Sequence, residues 1–161
     1  MDNPKWMSDL RAAEGYLELG MVSEAEAELE KIPAEHRDLP EVVEFRILAG
    51  MAAGKWALAA GLARHLLTIC PAVPGFWINC AYSVRRSESI DAAEKILLAA
   101  LKVHPDEAMI HYNLACYAAV TGRLDEAEAR LGRAFALDPA TREIARNDAD
   151  LDAMREVIDR D

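Results

Sequence analysis

Residues 110–139 read IHYNLACYAAVTGRLDEAEARLGRAFALDP. Leu114, Ala115 and Ala118 fall on one side of a helix, and Leu124, Ala127, Leu131 and Ala134 step by three or four along another. Between them Gly122 supplies the residue that a helix needs to turn back on itself, and Asp138-Pro139 closes the second helix, because proline lacks the amide that would continue it. The stretch therefore predicts two short amphipathic helices placed back to back.

The same punctuation recurs along the chain. Pro71, Pro105 and Pro139 are spaced by 34 residues, as are Ala59, Ala93 and Ala127, Ala100 and Ala134, and Leu97 and Leu131. Gly20, Gly54 and Gly122 share this phase, with Glu88 standing where a further glycine would fall. A fixed period of this size marks an array in which each unit buries its apolar face against the next.

Upstream, Trp6, Leu10, Ala13, Leu17 and Met21 form a first apolar face. Ser23 is placed to cap a second helix, whose stripe is Ala25, Leu29 and Ile32. PAEHRDLP (33–40) reads as a connection. Val43, Ile47, Gly50 and Met51 carry a third helix that Gly54 stops; Ala59, Leu62, Ala63, Leu66 and Leu67 carry an alanine-rich fourth. Trp77, Ala81 and Val84 are expected to face inward on the fifth, and Ala93, Ile96, Leu97, Ala100 and Leu101 on the sixth, which Ser89 and Asp91 begin. After Pro139, Thr141 and then Asp148 or Asp150 are candidate caps for short helices with Ile144, Leu151, Met154 and Val157 as their apolar edge. A solenoid end needs such a polar-backed cover, so residues 140–161 read as a cap rather than as a disordered acidic tail.

On these residues the chain resembles the tetratricopeptide repeat family. Leu114, Ala115, Gly122, Ala127, Leu131, Ala134 and Pro139 match its pattern in the unit from Ala108, and Trp77, Ala81, Ala93, Leu97, Ala100 and Pro105 match it in the unit from Pro74. Cys80, Glu88, His111 and Arg46 depart from it, Arg46 at a position usually buried. The resemblance implies an all-α, right-handed superhelix of antiparallel helix pairs in one domain over 1–161. Its repeats are expected at about 6–39, 40–73, 74–107 and 108–139, with a C-terminal cap over 140–161.

The resemblance also implies a concave groove lined by the first helix of each unit. Carried over position by position, that groove takes Glu44, Phe45, Leu48 and Met51 from the second unit, Ile78, Asn79, Tyr82, Arg85 and Arg86 from the third, and Met109, Tyr112, Asn113 and Cys116 from the fourth. Asn79 and Asn113 are candidates to bond a peptide backbone, and Arg85 or Arg86 to meet a carboxylate. The set of cations with which one subfamily grips chaperone C-termini is incomplete here, since Gly75 and Met109 stand at two of its positions.

Composition narrows the function classes. A net charge of -10 opposes nucleic-acid backbones. It is uneven: residues 1–39 are net -6 and residues 40–105 net +2. No apolar run is long enough to span a bilayer. Cys70, Cys80 and Cys116 form no CxxC and lie in apolar contexts, which fits buried, reduced thiols in the cytoplasm. No phosphate loop, nucleophile elbow or metal-ligand spacing joins the histidines at 36, 65, 104 and 111, so no catalytic residue, cofactor or metal is expected. The acid-rich blocks EAEAELE and DEAEAR read as solvated helix faces. The expectation is a non-enzymatic adaptor that binds a protein or peptide segment in its groove. The alternatives are a small secretion-type bacterial chaperone, or a structural protein self-associating through the solenoid ends, with Trp6 and Leu10 as the N-terminal edge.

Overall fold

Every segment that the spacing marks as helical is a helix in the computed structural model, which describes residues 4–160. Met1, Asp2, Asn3 and Asp161, at the margins of the expected domain, lie outside the described residues. The helices are α1 (Lys5–Glu18), α2 (Val22–Lys31), α3 (Pro40–Ala52), α4 (Trp56–Ile69), α5 (Pro74–Ser87), α6 (Ile90–Val103), α7 (Ala108–Val120), α8 (Leu124–Leu137), α9 (Ala140–Arg146) and α10 (Arg155–Ile158). Short 3-10 segments cover Ala34–His36 and Ala149–Met154.

Three turns share one geometry, and glycine is the reason. Gly20, Gly54 and Gly122 have φ of 71°, 70° and 79°, a left-handed conformation that a Cβ would oppose. In each, the residue after the glycine donates its amide back into the preceding helix: Met21 to Tyr16, Lys55 to Gly50, and Arg123 to Ala118, all at 2.8 Å. This closure satisfies carbonyls that a helix end otherwise leaves open. The fourth turn has Glu88 instead, at φ -130°, and its carboxylate receives two hydrogen bonds from the Arg64 guanidinium, at 2.6 and 3.0 Å.

The chain divides into two compact units, one ending at Ser89 and one beginning at Ile90. The repeat expected at 74–107 thus contributes α5 to the first unit and α6 to the second. In the first unit, Leu10, Ala13, Leu29, Ile32, Val42 and Ala49 form a core flanked by Trp6, Leu17, Leu39 and Phe45. α3 and α4 approach closely at Gly50, where a Cβ would lie 3.5 Å from that of Ala59. α4 buries Ala59, Ala60, Ala63 and Leu66.

In the second unit α7 is buried almost all round, from Ala108 through Ala119, and α8 turns Ala127, Leu131 and Ala134 inward. Leu97, Ile110, Leu114 and Leu131 are all completely buried. Each contributes about 1.5–3 kcal/mol of transfer free energy. The cap expected over 140–161 is helical through Ile158, and it buries Thr141, Ala145, Leu151, Met154 and Ile158.

Several local expectations are corrected. Ser23 lies inside α2, whose N-cap is Met21; Met21 is exposed and takes no part in the first apolar face. Trp77 is half-buried, its indole N–H donating to the Pro71 carbonyl at 2.8 Å, while Phe76 and Cys80 fill the inward positions. Leu124 and Ile144 are exposed, each at the opening or on the outer side of its helix, and Ala145 replaces Ile144 in the interior. Pro139, not Thr141, is the N-cap of α9, and the Asp138 carboxylate just before it accepts the Ala140 amide at 3.0 Å. Asp148 caps the next segment through the Asp150 amide, one of the two residues expected there.

Candidate partner-binding surfaces

In the first unit α3 packs beside α5, and the two helices carry nine of the candidate residues. Phe45 is spent on the core, and Leu48, Met51, Ile78 and Asn79 are half-buried. Glu44 is half-buried too; burial raises its pKa, and no cation or hydrogen-bond donor partners its carboxylate among the described residues. A desolvated carboxylate of this kind favours a donor arriving from outside.

Tyr82 is 38% exposed, a high value for a large aromatic ring. The Arg86 guanidinium lies 3.5 Å from its ring centroid and 5.0 Å from that of Trp56, and the two rings meet edge to face at 5.8 Å. The stack holds the guanidinium plane in place, one Nη donates to the Tyr82 carbonyl at 3.5 Å, and the residue as a whole is exposed. Arg85 is half-buried and engaged. Trp56 is not among the expected site residues, because it opens the second helix of its repeat, and phase alone gives no reason to place it beside Tyr82.

The second unit differs. Tyr112 and Cys116 are each only 3% exposed. The Tyr112 hydroxyl donates to Asp148 Oδ2 at 2.6 Å, and the Cys116 thiol donates to the same oxygen at 3.6 Å. Burial, then Asp148, drives both groups well above their ordinary pKa, so both stay protonated. Segment 149–154 packs on α7 here and closes the face on which the repeat phase sets them free. That expectation is corrected: these two residues make an internal fastening. Asn113 donates to the Met109 carbonyl one turn back, at 2.7 Å, which is a local bond; Met109 is half-buried.

Cys116, Asp148 and Asp150 bring three ligand-type atoms within 4.8 Å of one another. The chemistry of the set fits a hydrogen-bonded lock better than a metal. Asp148 already accepts from Tyr112, Cys116 and the Asp150 amide, and the thiol is far from the thiolate that a metal requires. His111 is also internal, its Nε2 donating to the Pro105 carbonyl at 2.8 Å. At the opposite end of the chain, Trp6 stacks on His36 at 5.0 Å and Leu10 is 9% exposed, so the apolar edge expected there is taken up by the core.

Among the described residues no helix is long and apolar enough to cross a membrane. No family model matches the chain, and no curated protein matches it. Solved structures do. TTC0263, a thermophilic TPR protein of Thermus thermophilus, superposes with a TM-score of 0.75 at 21% identity, over 94% of this chain and 86% of that one. A crystal structure of MamA matches with a TM-score of 0.74 at 12% identity, over 86% and 81% of the two chains. A chain of the APC/C hetero-tetramer Cut9-Hcn1 matches with a TM-score of 0.73 at 15% identity, over 96% of this chain and 30% of its own. Helix pairs that turn at left-handed glycines on a 34-residue interval, together with this agreement across solved structures, establish that the chain has the tetratricopeptide-repeat fold.

Proposed function

We propose that the chain is a non-catalytic protein-interaction module that binds a partner segment on the α3–α5 face of its first unit. The observation that carries this reading is the exposed Tyr82 with Arg86 stacked upon it and Trp56 alongside. An aromatic and an arginine held rigidly together are the kind of pair that dominates binding energy at protein interfaces. Glu44, Leu48, Met51, Ile78 and Asn79 supply a mixed floor for the rest of the segment. The partner that fits has an acidic residue for Arg86 and an apolar side chain for Tyr82, with a donor for Glu44. The fold shared with an APC/C assembly chain supports an assembly role. The three free thiols fit a reducing compartment such as the cytoplasm.

The test is affinity capture from the source cells with the parent chain, Tyr82→Ala/Arg86→Glu, and the remote control Glu143→Ala, followed by mass spectrometry. Proteins held by the parent and the control are expected to be absent from the double variant, whose helicity by circular dichroism stays at the parent level. Capture of the same proteins by all three would refute the assignment of the face.

A further inference from the structure

A second recess lies in the first unit, with none of Tyr82, Arg86 and Trp56 in its lining. α2, α3 and α4 enclose a recess of about 190 Å³ with Leu29, Ala49, Gly50, Leu58 and Leu62 as its apolar wall. Leu58 is 51% exposed beside Leu29 at 4%, so the wall runs continuously from solvent to the core. Arg46 enters this recess at the position where the repeat pattern has a buried apolar residue.

The charges around it are not equivalent. Lys55 Nζ is paired with Glu26 at 2.5 Å, and Arg37 reaches Glu30 at 3.4 Å. Arg46 alone of the lining cations has no carboxylate or carbonyl partner among the described residues, although it is half-buried. Arginine cannot shed its proton, so a half-buried guanidinium without a counter-ion keeps N–H donors open to water or to an anion from outside. Glu26 and Glu30 stand at the same recess; Lys55 and Arg37 offset them, and a second charge on a ligand would meet their repulsion with no cation of its own. The volume suits a fragment-sized molecule and is below that of ordinary drug-sized pockets.

We propose that this recess binds a short-chain apolar monocarboxylate, its carboxylate paired in two-pronged fashion with Arg46 and its hydrocarbon chain laid against Leu29, Leu58 and Leu62. The site is independent of the α3–α5 face and stands or falls apart from it.

The test is NMR titration of the full chain with hexanoate, hexanamide and adipate, followed through the Leu29, Leu58 and Leu62 methyls and the Arg46 Nε–H. Hexanoate is expected to saturate these signals with a Kd on the order of 1 mM, a reasonable affinity for a ligand of about eight heavy atoms. Hexanamide, which lacks the charge, and adipate, which adds one, should each bind about tenfold or more weakly. Arg46→Leu, which fills the recess with the apolar side chain usual at that position, should abolish the shifts while keeping the dispersion of a folded spectrum. Tyr82→Ala/Arg86→Glu should leave the titration unchanged. No shifts up to about 20 mM would overturn the proposal, as would equal affinity for acid and amide, undiminished binding by Arg46→Leu, or an acetylated glutamate peptide that outcompetes hexanoate. Concentration-dependent broadening of the same signals without ligand would overturn it in favour of contact between copies of the chain.

Discussion

Removing the carboxylate of Asp148 tests whether the end of the chain is fastened as the structure implies. Asp148→Ala deletes the acceptor of the Tyr112 hydroxyl, at 2.6 Å, and the cap on the Asp150 amide, at 2.9 Å. A hydrogen bond to a charged group contributes about 1.5–3 kcal/mol and a helix cap about 1 kcal/mol. Tyr112 is 3% exposed, so water does not replace what is lost. The variant is therefore expected to be less stable by about 2.5–4 kcal/mol, or roughly 5–15 °C in Tm for a chain of this length. Tyr112→Phe should cost about 1–2 kcal/mol, and the double variant should recover a coupling of similar size. Guanidinium denaturation followed by circular dichroism measures all four corners of the cycle. If Asp148→Ala falls within about 0.5 kcal/mol of the parent, or if the two changes simply add, the fastening is not there.

Three further outcomes follow from groups elsewhere in the fold. Burial pushes the Cys80 thiol up to about 11 from its ordinary 9.0, so the unfolded chain loses this proton first. The contribution is whole below about pH 9 and disappears as pH climbs to about 11, a loss of about 2–3 kcal/mol. Urea denaturation across that window should show the decline, and Cys80→Ala should make it shallower, the remainder belonging to Cys116 and Tyr112; an equal slope in the variant would contradict the assignment. Gly122→Ala forces a side chain into φ 79° and should cost about 1 kcal/mol, whereas Gly132→Ala, in mid-helix with open space at its Cβ, should gain about 0.5–1 kcal/mol. Thermal melts of the pair should move in opposite directions. Leu131→Ala, at a completely buried position in α8, should cost about 2–5 kcal/mol by the same measurement.

The parts of the fold that depend on neighbours in sequence are legible without coordinates. Gly20, Gly54 and Gly122 mark turns because glycine, with no Cβ, adopts φ near 70° at no steric cost, and the alanines in phase with Ala127 mark close helix contacts. Leu124 and Ile144 are misplaced by sequence reasoning because residues at helix starts and on short helices have a weak periodic signal. The candidate site is legible only in part. Tyr82 and Arg86 lie on the α5 surface that the repeat phase gives them, exposed. Tyr112 and Cys116 do not, because their environment is set by Asp148, 36 and 32 residues further on. Periodicity reports on which way a side chain points, and it carries no information about a later segment that folds back over it. Trp56 escapes for a similar reason, since its contact with Tyr82 joins different repeats. Arg46 is visible as a break in the pattern, and only the recess around it gives that break a chemical meaning.

The fastening at Asp148 also bears on how an array of this kind grows or is lengthened by design. Duplicating a helix pair between α8 and α9 would carry Asp148 away from α7 and set a copy of α5 or α7, neither of which holds an acidic residue, in its place. Tyr112 and Cys116 would then face a surface with no carboxylate to receive their protons. Tyr112 and Cys116 are thus matched to the segment that covers them, and an array lengthened at this point would need Phe and Ala at 112 and 116 before the junction could close.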